Sequence, residues 1–448
     1  MIFLTVGNRY GFDRLVSAVD AMAARGERVD RPRRLENHRR RGAAGQATAR
    51  EAARGREPRT RQVIDTIESS DERQFHHVAG LDGVRGVAVL LVVLFHFGKL
   101  WRTETGGLLP AGFIGVDVFF VLSGFLITSL LLNERAAQGK VSIPRFYIRR
   151  SLRLFPALLG ILIAHLIYSQ VKNIPLENEL KQIASVLAYV SNFAQSYWLP
   201  EMLRSGLSFT WSLAIEEQFY LLWPAVLLFG VLRFTKNRTQ ILVLVFGFAL
   251  LSALIRLYIW HLGSGYPAAY MRPDARADGL LIGAGCAFLW RWRLVPLQYL
   301  NEVAIVAFVG IIGTALVIPR ENTIMFSGGF TVVSIAAAVM LLATAENGWA
   351  LQPLMESKWL RLLGKVSYGL YLWHTLSLRV AFSIFQGRGP LLIGAVGLVF
   401  TVITTTASWF VIEQPFLRLK DRFGGVESVG PAAAAPAPAE DRPSSRST

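Results

Sequence analysis

The chain reads GLDGVRGVAVLLVVLFHFGKL over residues 80–100 and AGFIGVDVFFVLSGFLITSLLL over residues 111–132, two apolar runs joined by ten residues. Each run is close to the roughly 20 residues that a helix needs to cross a bilayer. Each also carries an ionisable residue that hydrocarbon disfavours, His96 in the first and Asp117 in the second. A charged side chain at mid-membrane costs about 2.5–3.5 kcal/mol on insertion scales, and such residues face a partner or a water-filled path. Arg85 precedes His96 by eleven positions. Eleven steps of about 100° return nearly to the starting face after a climb of about 16 Å. Arg85 is thus expected at the membrane surface and His96 near mid-depth, lining one groove. The bland alternative makes His96 a packing residue and Arg85 a topological anchor. Asp117 fits that alternative less well, because residues 111–132 hold no Arg or Lys.

Outward from this stretch the pattern repeats. Of 448 residues, 52% are hydrophobic, gathered into runs of spanning length between short basic or polar loops. The fold class expected is an all-α integral membrane protein with about ten transmembrane helices. The formal charge of +16 sits largely in the N-terminal extension and in connecting loops, where Lys and Arg set topology; no nucleic-acid partner is expected. The lone cysteine, Cys286 between Gly285 and Ala287, excludes an internal disulfide framework and reads as a small packing residue. No zinc-type spacing, Walker loop or dinucleotide fingerprint stands in a suitable context, so no metal site is expected.

Three regions follow. Residues 1–79, rich in Arg, Ala and Gly, are expected to be a disordered basic extension. The reading stays open between an arm on acidic lipid and a start assigned upstream of the native one. Residues 80–420 form the membrane domain, and residues 421–448 a disordered Pro/Ala/Ser-rich tail. The ten spans are placed at residues 80–100, 112–132, 154–170, 211–231, 240–260, 274–290, 302–318, 329–345, 366–384 and 391–412. The inner connections then carry the basic clusters, among them Arg233, Lys236 and Arg238, and Arg418, Lys420 and Arg422, provided residues 183–199 stay at the outer surface. This predicts a multi-pass protein of the plasma (bacterial inner) membrane with both termini cytoplasmic.

Depth along these spans, at about 1.5 Å per residue, sorts the ionisable residues into two layers. His96, Asp117, Glu216, Glu217, Asp278 (with Arg272 and Arg276 above it) and His374 converge in the membrane's interior and outer half. Arg145, Arg149, Arg150 and Arg153 cluster on the cytoplasmic side, three of them four residues apart on one helix face. Their planar forks suit phosphate oxygens. A ligand with phosphates at one end and a reactive group at the other joins the layers, and coenzyme A has that form. The chemistry would be acyl transfer from a thioester to a hydroxyl. His96 would be either the general base or transiently acylated, with Asp117 orienting its ring.

At LDGVRGVAVLLVVLFH (81–96), GFIGVDVFFVLSGFLI (112–127), FYIRRSLRLFP (146–156), WSLAIEEQFYLLWP (211–224), SYGLYLWH (367–374) and EQPF (413–416), the sequence resembles acyltransferase family 3. These are multi-span O-acyltransferases that include O-antigen and exopolysaccharide acetylases and macrolide acylases. The resemblance implies a catalytic pair at Arg85 and His96. It also implies a cytoplasmic acyl-CoA donor, most simply acetyl-CoA, contacting Arg149, Arg150 and Arg153, and a carbohydrate or glycolipid acceptor. Some members carry an esterase-like domain after the last span; none follows here, so any partner in acyl delivery is expected to be a separate protein. The competing class is a transporter or flippase, against which stands the lack of an internal repeat. The sequence leaves the acyl group, the acceptor and the oligomeric state open.

Overall fold

A computed structural model describes residues 72–100, 109–263, 265–319 and 322–421. The bulk of the predicted N-terminal extension and the C-terminal tail lie outside the described residues. Among those described, every regular element is helical. We number the principal helices α1 (Ala79–Gly98), α2 (Gly112–Gln138), α3 (Ile143–Val171), α4 (Leu176–Leu187), α5 (Thr210–Phe234), α6 (Arg238–His261), α7 (Pro273–Arg291), α8 (Leu300–Val317), α9 (Met325–Ala345), α10 (Lys358–Lys365), α11 (Ser367–Ile384) and α12 (Pro390–Leu419).

Local chemistry accounts for the boundaries. Gly139, at φ +70°, ends α2 in the left-handed conformation, its N–H donating to the Arg135 carbonyl at 2.7 Å. Glycine adopts this φ without steric cost. Asn237 starts α6 by accepting the Gln240 N–H at 2.9 Å, a side-chain N-cap. In α12 a wide π turn over Ser408–Glu413 precedes Pro415, whose missing N–H breaks the regular hydrogen-bond ladder.

Eight of these helices, α1–α3, α5, α6, α8, α9 and α12, are long and apolar enough to cross a membrane. The protein is therefore multi-pass. The remaining two of the ten predicted spans, residues 274–290 and 366–384, are helices α7 and α11, but too polar to qualify on composition. The polar content is specific: α7 carries Arg276 and Asp278, and α11 carries His374. Both are shielded by neighbours, α7 by α2, α6 and α9, and α11 by α12 and α1. Residues 183–199 form the end of α4 and short helical turns, not a spanning helix.

The α2–α7 contact positions much of the polar interior. A Cβ on Gly124 of α2 would lie 1.8 Å from the Leu280 carbonyl oxygen, and one on Gly283 of α7 would lie 2.0 Å from that of Val121. Only glycine permits this approach, the small-residue packing typical of membrane helices. Two turns earlier on each helix, the same faces bring Asp117 and Arg276 together.

Two boundaries differ from the sequence-based expectation. The third span was placed at residues 154–170, yet α3 begins at Ile143, because Pro144 in its first turn favours helix initiation. The arginine run is therefore helical. Residues 72–78, expected within the disordered extension, pack on the bundle. Phe75 is buried against Phe125 and Trp290, and its backbone N–H and C=O both bond the Asn133 side chain, at 3.1 and 2.6 Å.

Candidate active site

His96 and His374 meet. His374 Nδ1 lies 2.8 Å from the Tyr371 carbonyl oxygen and 3.1 Å from that of Leu370. Carbonyls only accept, so Nδ1 carries the proton and Nε2 keeps its lone pair. That Nε2 stands 3.3 Å from His96 Nδ1, which also lies 2.9 Å from the Val92 carbonyl. Two acceptors therefore face His96 Nδ1, which must be the protonated nitrogen. The basic lone pair of His96 is left on Nε2. His374 is wholly buried and His96 half-buried. Around the pair, Tyr371 donates to the Phe209 carbonyl at 3.2 Å and shares a hydroxyl hydrogen bond with Ser212.

Asp117 does not take the predicted part of orienting His96. His374 stands in that position, and Asp117 instead accepts from Arg276 Nη2 at 2.7 Å, with both side chains buried. The cause is geometric: Asp117 lies on the α2 face that the glycine contact turns towards α7. Asp278, expected beneath Arg272 and Arg276, pairs with Arg256 at 2.9 Å and accepts from Thr331 at 2.7 Å. Arg256 is fully buried and also donates to the Ala275 carbonyl at 2.9 Å. Sequence reasoning missed Arg256, although an arginine inside the apolar run of α6 is itself the signal. It missed Asp82 too, which holds Arg85 Nη1 at 2.6 Å one turn away on α1.

The two predicted layers also join. Arg150 donates to Glu217 Oε1 at 3.2 Å and lies over the Tyr220 ring. Tyr220 in turn donates to Glu216 at 2.6 Å, and Ser123 donates to the same carboxylate. Arg85 lies within electrostatic reach of Tyr220 and Glu216. The layers converge because α3 begins three turns earlier than expected and an arginine side chain spans several ångströms. The other arginines also meet carboxylates: Arg149 pairs with Glu134 at 2.9 Å, and Arg153 faces the buried Glu413, while Arg145 is exposed.

Between α3, α5 and α11 lies a small cavity lined by Leu154, Leu158, Tyr189, Leu213, Glu216, Glu217 and Tyr368. It abuts the Arg150–Glu217 pair, and Leu213 borders Ser212 of the histidine site. Tyr189 sits in a left-handed conformation (φ +53°) that non-glycine residues rarely adopt, and its carbonyl is held by Gln218 at 2.7 Å. Burial, with Glu217 beside it, pushes its hydroxyl above the ordinary phenol range, so it stays a hydrogen-bond donor. Among the described residues no group of three or more His, Cys, Asp or Glu is disposed to hold a metal ion.

Residues 78–412 match the acyltransferase-domain family that the motifs resemble. The chain is 33% identical over 359 residues to the peptidoglycan O-acetyltransferase OatA of Listeria monocytogenes, covering 76% of this chain and 56% of that protein. It is 31% identical over 353 residues to the O-acetyltransferase OatA of Staphylococcus aureus, covering 76% and 57% respectively. The chain thus spans little more than half the length of these relatives. No solved structure matches it. With the match extending over most of its length, this chain belongs to acyltransferase family 3.

Proposed function

We propose that the protein is a membrane O-acyltransferase that moves an acyl group, most simply acetyl, from cytoplasmic acyl-CoA to a hydroxyl of a sugar in a surface or exported glycan or glycolipid. It would do so in the bacterial inner membrane with both termini cytoplasmic. The observation that carries this reading is the His96–His374 contact, which leaves the lone pair of His96 on Nε2. A positioned imidazole with its lone pair on Nε2 is suited to deprotonating a hydroxyl.

The reaction balances around that atom. His96 Nε2 takes the proton of the acceptor hydroxyl while the hydroxyl oxygen attacks the thioester carbonyl. The C–S bond then breaks, the sulfur leaves as thiolate and receives the proton from the imidazolium, and free coenzyme A departs. Arg145, Arg149, Arg150 and Arg153 supply the guanidinium density suited to the donor's phosphates. A glycan acceptor is supported by the relative described as acting on peptidoglycan.

The test uses the full chain in lipid vesicles with acetyl-CoA. Free thiol should appear only when a glycan acceptor is present, with acetyl ester on the glycan in its mass spectrum. Thiol release that ignores every glycan offered, without acetyl ester formation, would refute the reading.

A further inference from the structure

We propose that His77, on the segment just before α1, is a positioning residue for Arg85, acting through Asp82; the inference rests on the acyltransferase reading, with Arg85, the arginine that the family resemblance pairs with His96, taken to serve the acyl donor. His77 Nε2 lies 3.0 Å from Asp82 Oδ2, while Arg85 Nη1 lies 2.6 Å from Asp82 Oδ1. Asp82 is 1% exposed and Arg85 2%. The carboxylate is thus gripped at both oxygens, once by its own helix and once from outside it. A buried carboxylate held by one donor alone can swing about its terminal torsion, which is soft. Held by two, it presents Oδ1 to Arg85 in one orientation.

The segment that delivers His77 is anchored for this task. Glu72 accepts from Arg291 Nε at 2.7 Å and from Arg238 Nη2 at 3.4 Å. Arg73 pairs with Glu346 at 2.5 Å and donates its backbone N–H to the Arg291 carbonyl at 3.0 Å. Phe75 is 7% exposed, wedged between α2 and α7 and doubly bonded to Asn133. The ends of α2, α7 and α9 and the start of α6 are tied together by seven residues whose last polar side chain reaches Asp82. A mere entry linker would need neither the buried Glu72 nor the bidentate Asn133. His77 itself keeps 24% of its side chain exposed, so its replacement leaves no core cavity.

The experiment compares His77→Leu and His77→Gln in the full chain reconstituted in lipid vesicles. Gln retains a donor near the position of Nε2 and Leu does not. His77→Leu should raise the KM for acetyl-CoA about tenfold, the scale of one bond to a buried charge, with kcat within twofold of wild type. His77→Gln should recover most of that loss. In an Arg85→Ala background, His77→Leu should add nothing. The same cycle measured by unfolding in mixed micelles should show His77 and Arg85 coupled. An unchanged KM in His77→Leu would overturn the proposal, as would an equal loss in the Arg85→Ala background, or a His77→Gln no better than Leu. If the wild-type protein does not use acetyl-CoA, the donor reading falls, and the unfolding cycle decides: coupling sustains the His77–Arg85 link, and additivity refutes it.

Discussion

Breaking the Asp117–Arg276 pair distinguishes a structural aspartate from a catalytic one. The two groups meet at 2.7 Å with side chains 3% and 0% exposed. The Arg276 guanidinium also lies 4.0 Å from the Phe330 ring centroid. Removing one member of a buried pair leaves an uncompensated charge and costs about 3–5 kcal/mol. Arg276→Met keeps most of the side-chain volume, so nearly all of its cost should be electrostatic. Asp117→Asn keeps shape and leaves Arg276 as the stranded charge. Each single variant should therefore lose about 3–5 kcal/mol, while the double variant should lose little more than one of them. The coupling should then approach one single variant's loss, at or above the top of the roughly 0.5–3 kcal/mol seen for contacting residues. Unfolding in mixed micelles, followed by tryptophan fluorescence, measures all four proteins of the cycle. If the double variant's loss equals the sum of the singles within about 0.5 kcal/mol, the pair does not hold α2 to α7 and the argument fails.

Other expectations follow from the site. His374→Phe preserves bulk but removes one of the two acceptors facing His96 Nδ1, leaving the Val92 carbonyl alone to orient the ring; kcat should fall by about 10- to 100-fold, part of the usual general-base contribution, with the donor KM little changed in steady-state assays. Arg150→Ala should raise the acetyl-CoA KM and strand Glu217, and Arg150→Lys should recover only part, because the planar fork is lost; titrating the donor for both variants checks this. Reporter fusions after Lys181, Arg238 and Arg293 should read outside, inside and inside respectively, and an inside signal at Lys181 with an outside signal at Arg238 would invalidate the orientation.

How much was legible in the sequence differs by residue. The helices were readable because bilayer thickness imposes a length that composition reveals, so α1, α2 and α5 fall close to where hydropathy puts them. His96 and His374 stood out because imidazoles are rare in apolar runs. Their contact did not, since it joins residues 278 positions apart. Depth arithmetic placed Asp117 near His96, but depth is one coordinate, and the azimuth set by Gly124 and Gly283 sends Asp117 to Arg276 instead. Arg150 was placed by its loop-like neighbours, whereas α3 begins eleven residues before Leu154 and turns it towards Glu217. Residues 72–78 looked disordered because averaging over a basic, Gly-rich region hid Phe75, the one large apolar side chain that docks it.

The central claim is that His96 Nε2 removes the acceptor proton, and His96→Gln tests it most directly. Glutamine keeps hydrogen-bonding capacity at that depth but takes no proton, and losing an ionisable group does not hinder insertion. Acetyl transfer from acetyl-CoA to a glycan hydroxyl should be measured for wild type and His96→Gln at equal membrane abundance. The account predicts a fall of at least about 100-fold, the lower range of a general base's contribution. Turnover near the wild-type rate would make His96 a packing residue and would contradict the account.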